Sequence, residues 1–212
     1  MNIKFESTMH KQRFTLGIIC GLLPICCVLF GLFGKDVNQP GWWYSISATY
    51  YATSSPWMIG SLCLSSFFFF TYKGYDLGDK WFTTLSSIMS ICIVIFPCYN
   101  AVLSKVGIFQ LPVNVSSIFH NISAGTLFVS FGLMIMFRFT KGARKGRNIL
   151  YRICASIIFL SAIGVAIGGK ICLPGYSTII FETTLLEAFA VAWIVKSDVK
   201  VTFNDSRKDR SE

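Results

Sequence analysis

The chain has 212 residues, 53% of them hydrophobic and only 14% charged, with a formal net charge of +9 and a mean hydropathy of +0.59. Soluble domains carry about a quarter charged residues, so this composition excludes an ordinary soluble enzyme and points to membrane helices. The basic excess is divided among short segments between apolar runs, which leaves no room for a nucleic-acid-binding domain.

The apolar runs fall at roughly 14–33, 56–72, 81–98, 116–137, 150–169 and 176–196. At about 1.5 Å per residue most of them cross a hydrocarbon core of about 30 Å, the second and third being a little short. The expected fold is all-α, a single six-transmembrane-helix bundle over 14–196, with residues 1–13 and 197–212 as cytoplasmic segments. No signal-peptide cleavage pattern precedes the first run, so it is read as the first membrane helix. Sixteen of the nineteen Lys and Arg residues lie in 1–13, 73–80, 138–152 and from Lys196 onward, against Lys35, Lys105 and Lys170 on the other side. The positive-inside rule therefore puts both termini in the cytoplasm and predicts an integral membrane protein.

Helix one carries Gly17 and Gly21 at GxxxG spacing, then Pro24, which predicts a close helix contact and a bend. Gly164 and Gly168 repeat the spacing in helix five. The loop after helix one holds Trp42, Trp43, Tyr44, Tyr50 and Tyr51. Amphipathic rings favour the headgroup level, so this segment reads either as an interfacial belt or as an aromatic lid over the mouth of the bundle. Gly74 and Gly78 are expected to shape the cytoplasmic turn before helix three. In that helix Ser86, Ser87 and Ser90 have their own helix carbonyls as bonding partners.

Helix four places His120 and Asn121 roughly 6 to 8 Å below its outer start, and helix six places Glu182 at roughly 9 Å and Glu187 at roughly 16 Å. A carboxylate in hydrocarbon costs several kcal/mol and seeks a partner or a cavity. Five residues apart, the two carboxylates are separated by roughly 140° around the axis and face different neighbours. His120, Asn121 and Glu182 thus form the expected outward-facing cluster, with Glu187 a deeper member. The cluster reads as a ligand or ion pocket or as a structural hydrogen-bond network. A neutral carboxyl there would donate a hydrogen bond.

Of eight cysteines, Cys98 and Cys172 fall at outer helix ends, where a disulfide persists if the ends meet. No Cys/His spacing suggests a metal, and no GxGxxG, Walker, haem or GxSxG pattern is present, so neither a cofactor nor a catalytic residue is assigned. The KGARKGR segment serves as a topology anchor or a grip on anionic headgroups.

The segments SISATYYATSSPWMIGSLCLSSFFFFTYKGYD, HNISAGTLFVSFGLMIMFRFTK and FETTLLEAFAVAWIVK resemble a group of small, uncharacterised bacterial polytopic membrane proteins. In outline they are similar to the DRAM/Sfk-like six-helix membrane families. The resemblance covers about residues 45–196 and implies a six-helix inner-membrane protein. The zinc-dependent serpentine hydrolases such as alkaline ceramidases use several intramembrane histidines, and here His120 stands alone. Three functions follow as expectations: transport or conduction of a cation or small amphiphile, lipid binding in a receptor-like role, or hydrolysis using His120 with Glu182. Membrane lipids are the expected partners, and a homo-oligomer would favour a channel.

Overall fold

The computed structural model describes residues 3–34, 44–72, 74, 77–141, 143–171 and 176–197, with backbone alone for 3–7 and 168–171. Six α-helices are found among them: α1 Ile3–Phe33, α2 Ser55–Thr71, α3 Leu77–Ile95, α4 Val113–Met134, α5 Lys145–Ile171 and α6 Ser177–Lys196. Each packs beside its sequence neighbour, and α6 returns to pack on α1, so the six close into a ring.

Local chemistry sets the boundaries. Pro56 sits in the first turn of α2, where its missing N–H costs nothing. Pro97 stops α3, because the residue before a proline is driven out of the helical region; the helix therefore ends earlier than the apolar run suggests. α1 runs unbroken past Pro24 and begins eleven residues before the expected start, so the segment read as a preceding tail continues the helix. The α2–α3 turn needs a left-handed residue, supplied by Gly74 at φ +47°; a Cβ there would also strike Asp79. Three features go unannounced by the sequence. One is a 3₁₀ turn, Ser47–Tyr51, and another is a π-helical turn, Ile135–Phe139, that prolongs α4. The third is a two-stranded hairpin between α3 and α4, β1 Lys105–Val106 and β2 Leu111–Pro112, antiparallel with Val106 opposite Leu111.

Four helices among the described residues are long and apolar enough to cross a bilayer: Thr8–Phe33, Val113–Phe139, Lys145–Ile167 and Ser177–Lys196. α2 is apolar but has only 17 residues, and α3 has 19 with Asp79 and Lys80 in its first turn. Polarity is turned inside out in both. On α3 the hydroxyls of Thr83, Ser86, Ser87 and Ser90 are buried, while Trp81, Leu85 and Ile88 are exposed. On α2, Ser61, Ser65 and Ser66 are buried and Phe67 and Phe70 are exposed, Phe70 at 69%. A bundle in water would bury the phenylalanines first, so this is the pattern of a protein whose solvent is lipid. Ser90 bonds its own helix at Ser86 O, as Thr83 does at Asp79 O; Ser66 pairs with Ser87 at 2.9 Å and Ser86 with Ser130 at 3.2 Å, joining α2, α3 and α4. The expected bond to the helix's own carbonyl is made by Ser90, whereas Ser86 and Ser87 also pair with neighbouring helices.

The GxxxG pair of α1 packs within the chain. A Cβ at Gly17 would lie 2.7 Å from Ile194, and one at Gly21 would lie 3.2 Å from Ala190, so the α1 backbone rests directly on α6. Gly164 does the same for α5 beneath the ring of Phe181. The inner stripe of α6, Glu182, Leu185, Phe189 and Trp193, faces the centre of the ring. There Phe131 stacks on Phe189 at 3.8 Å, and Phe69, Tyr72 and Phe139 pack edge-on around Trp193. This aromatic floor fills the bundle from midspan towards the basic end. At that end Arg13 donates to Tyr72 Oη at 2.7 Å and Arg138 pairs with Asp79 at 2.8 Å.

Candidate functional site

Above the aromatic floor lies a cavity of about 600 Å³ between α4, α5 and α6. Such a volume holds a small molecule or a good part of a lipid. Its closed end is polar, formed by Ser45, Ser47, Cys98, His120, Thr178 and Glu182. Its walls are apolar, with Ala124 and Phe128 from α4 and Phe159 and Ala162 from α5. Gly132 lies under the ring of Phe159 and draws the two helices together below the cavity. Higher up they part, and the rim is exposed on both, at Asn121, Gly125 and Val129 on α4 and Ile163 and Ala166 on α5. The mouth therefore opens sideways between two membrane helices.

Glu182, 5% exposed, accepts the backbone N–H of Ile46 on Oε2 at 2.5 Å and the hydroxyl of Ser47 on Oε1 at 3.4 Å. One buried carboxylate thereby holds the outer loop across the top of α6. Ser45 Oγ accepts the Ala48 N–H, Thr49 Oγ1 donates to Ile46 O, and the Ile46 side chain is itself buried. Tyr51 Oη donates to Cys98 O at 2.7 Å and ties the same loop to the chain after α3. Burial pushes the Tyr51 phenol up from its usual range, so the donor stays protonated.

His120, 3% exposed, bonds through Nδ1 to Phe96 O at 2.9 Å, and Ser116 donates to Pro97 O at 2.8 Å. The proline that ends α3 leaves terminal carbonyls without helical donors, and α4 supplies them. A carbonyl only accepts, so Nδ1 carries a proton; Ile93 O is a second backbone partner of the ring, and in the neutral imidazole Nε2 is the acceptor. No hydrogen bond joins His120 to Glu182 among the described residues.

The structure thus brings His120, Asn121 and Glu182 to one cavity and takes Glu187 elsewhere. Glu187 faces α1, where its Oε2 lies 3.5 Å from the position of a Cβ on Gly21 and its buried Oε1 has no partner among the described residues. It is not a deeper member of the cluster, because the 140° between the carboxylates points it at a different helix. Of the expected aromatic lid, Trp42 and Trp43 lie outside the described residues. Tyr44 is exposed, Tyr50 and Tyr51 meet edge-on at 5.1 Å, and none of the three lines the cavity. The part of the loop that covers the cavity is Ser45–Ser47. Cys98 lines it with a free thiol, and Cys172, the expected disulfide partner, lies outside the described residues, as does the Lys170 side chain.

Sequence reasoning did not single out Ser45 or Gly125, named Cys98 for a disulfide alone, and placed Thr178 on the face of Glu182 without assigning it to the pocket. Thr178 is one turn above Glu182, and Gly125 is four residues beyond Asn121, so helical spacing held a signal for both. Ser45 and Cys98 lie in loops and carried none. No family model, curated protein or solved structure matches this chain.

Proposed function

We propose that this protein is a six-span integral membrane protein, with both termini cytoplasmic in a bacterial inner membrane, that binds an amphiphile in the outward half of its bundle. One observation carries the reading: a cavity with a polar closed end, apolar walls and a mouth between α4 and α5. That shape matches a molecule with a small polar head and an apolar body. The basic residues gathered on one side support the orientation. α2 and α3 support the six crossings, because they share the ring with four longer helices and turn their apolar faces outward.

Lipid binding fits better than the other expectations. Conduction of a cation needs a polar path through the bundle, and Phe131, Phe189 and Trp193 occupy it. Hydrolysis needs His120 bonded to its orienting carboxylate, and both side chains are bonded to backbone instead. The cavity is complete within one chain, so the proposal requires no second copy.

The test is native mass spectrometry of the protein released from lipid nanodiscs. A bound lipid that disappears in Gly125→Leu is the expected result, because a side chain at Gly125 projects into the open mouth with no atom within 4 Å of its Cβ. A lipid complement identical in the two proteins refutes the proposal. Thiol labelling of Tyr44→Cys from outside the cell and of Lys145→Cys only after permeabilisation tests the orientation; the reverse pattern overturns it.

A further inference from the structure

Resting on the amphiphile-binding reading, we infer that the occupant is a membrane lipid whose head ends in a primary ammonium, seated with that group between Glu182 and His120. The inference comes from counting which polar atoms at the closed end are already engaged. Glu182 receives only donors, the backbone N–H groups of Ile46 and Ser47 and the Ser47 hydroxyl, which is the arrangement of a carboxylate acting as an acceptor. Oε2 is bonded at 2.5 Å and the Ser47 hydroxyl reaches Oε1 at 3.4 Å; a carboxylate has about four acceptor sites, so three donors leave one to offer. His120 faces the carbonyls of Phe96 and Ile93, and with the Nδ1 proton turned to Phe96 O the neutral imidazole keeps Nε2 as an acceptor. Both side chains are more than nine-tenths buried and both line the cavity.

Among the described residues no Lys or Arg lines the cavity, so none of them neutralises Glu182 or pairs with a phosphate there. Two acceptors, one of them charged, in surroundings of low dielectric call for a cationic group with several N–H donors. A primary ammonium has three; a quaternary ammonium has the charge and no donor. The source is the bilayer rather than water. The exposed rim carries Asn121 at one point and is otherwise apolar, at Val129, Ile163 and Ala166, while Ser45–Ser47, held by Glu182, covers the cavity from above.

The experiment uses the full chain in nanodiscs of equal phosphatidylethanolamine and phosphatidylcholine with identical acyl chains, followed by native mass spectrometry in mild detergent. Phosphatidylethanolamine is expected to be retained about tenfold over phosphatidylcholine, the effect of one charge-assisted hydrogen bond. Glu182→Gln brings the ratio close to one, and Glu187→Gln, which faces α1, leaves it unchanged. The mono- and dimethylated ethanolamine lipids give the same test on the unsubstituted protein, with retention falling as N–H donors are removed. Equal retention of the two lipids, or a preference unchanged in Glu182→Gln, overturns the ammonium assignment. Bound lipid that Gly125→Leu does not displace instead overturns the cavity reading on which it rests.

Discussion

Replacing Glu182 by alanine removes the side chain that, among the described residues, hydrogen-bonds the outer loop to α6. The Ile46 N–H loses its 2.5 Å acceptor in a place where water does not replace it, since Ile46 is 4% exposed. A hydrogen bond to a charged group contributes about 1.5–3 kcal/mol, and tenfold corresponds to about 1.4 kcal/mol, so local opening becomes about tenfold to a hundredfold more frequent. Hydrogen exchange read by mass spectrometry over residues 44–52 should accelerate by that factor. The bond from Tyr51 to Cys98 O persists and confines the effect to the first half of the segment. Glu182→Gln keeps an acceptor of the same reach, and its exchange should rise by less than about threefold. Wild-type exchange in Glu182→Ala would show that the loop is held elsewhere and that the carboxylate is not its anchor.

Other substitutions test the packing. Gly17→Ala drives a methyl against Ile194 and the Ala190 carbonyl, so thermal unfolding in detergent should show a loss; overpacking costs about 1–3 kcal/mol against a helix-preference gain of about 1. Gly125→Ala meets nothing within 4 Å and should gain about 0.5–1 kcal/mol by the same assay. Asp79→Asn takes the charge from the 2.8 Å pair with Arg138 and should lower stability by about 1–3 kcal/mol, part of which the double reversal Asp79→Arg, Arg138→Asp recovers. Trp193→Ala empties the centre of the aromatic floor, at a cost of about 3–5 kcal/mol in a denaturant titration.

Much of this molecule was legible in one dimension. Apolar run lengths gave the helices to within a few residues, except where Pro97 cut α3 short and where α1 continued back to Ile3. The glycine spacing in α1 announced a close contact. The five-residue offset between Glu182 and Glu187 announced that they would part, and depth by helical rise grouped His120, Asn121 and Glu182 correctly at one cavity. These properties are periodic, and a helix fixes angle and depth from sequence number alone.

What the helix repeat does not contain is the identity of the neighbour. Only the closed ring decided that Glu187 meets Gly21 of α1, that Ser66 and Ser86 bond across to Ser87 and Ser130, and that α4 and α5 part above Gly132 to leave a cavity. Loops follow no repeat, so the descent of Ser45–Ser47 onto Glu182 and the placement of Cys98 beside it depended on tertiary structure entirely. The sequence by itself determined which faces were polar and how deep each residue lies, because backbone geometry is local. The tertiary structure decided which faces meet, because that choice belongs to the packing of all six helices at once.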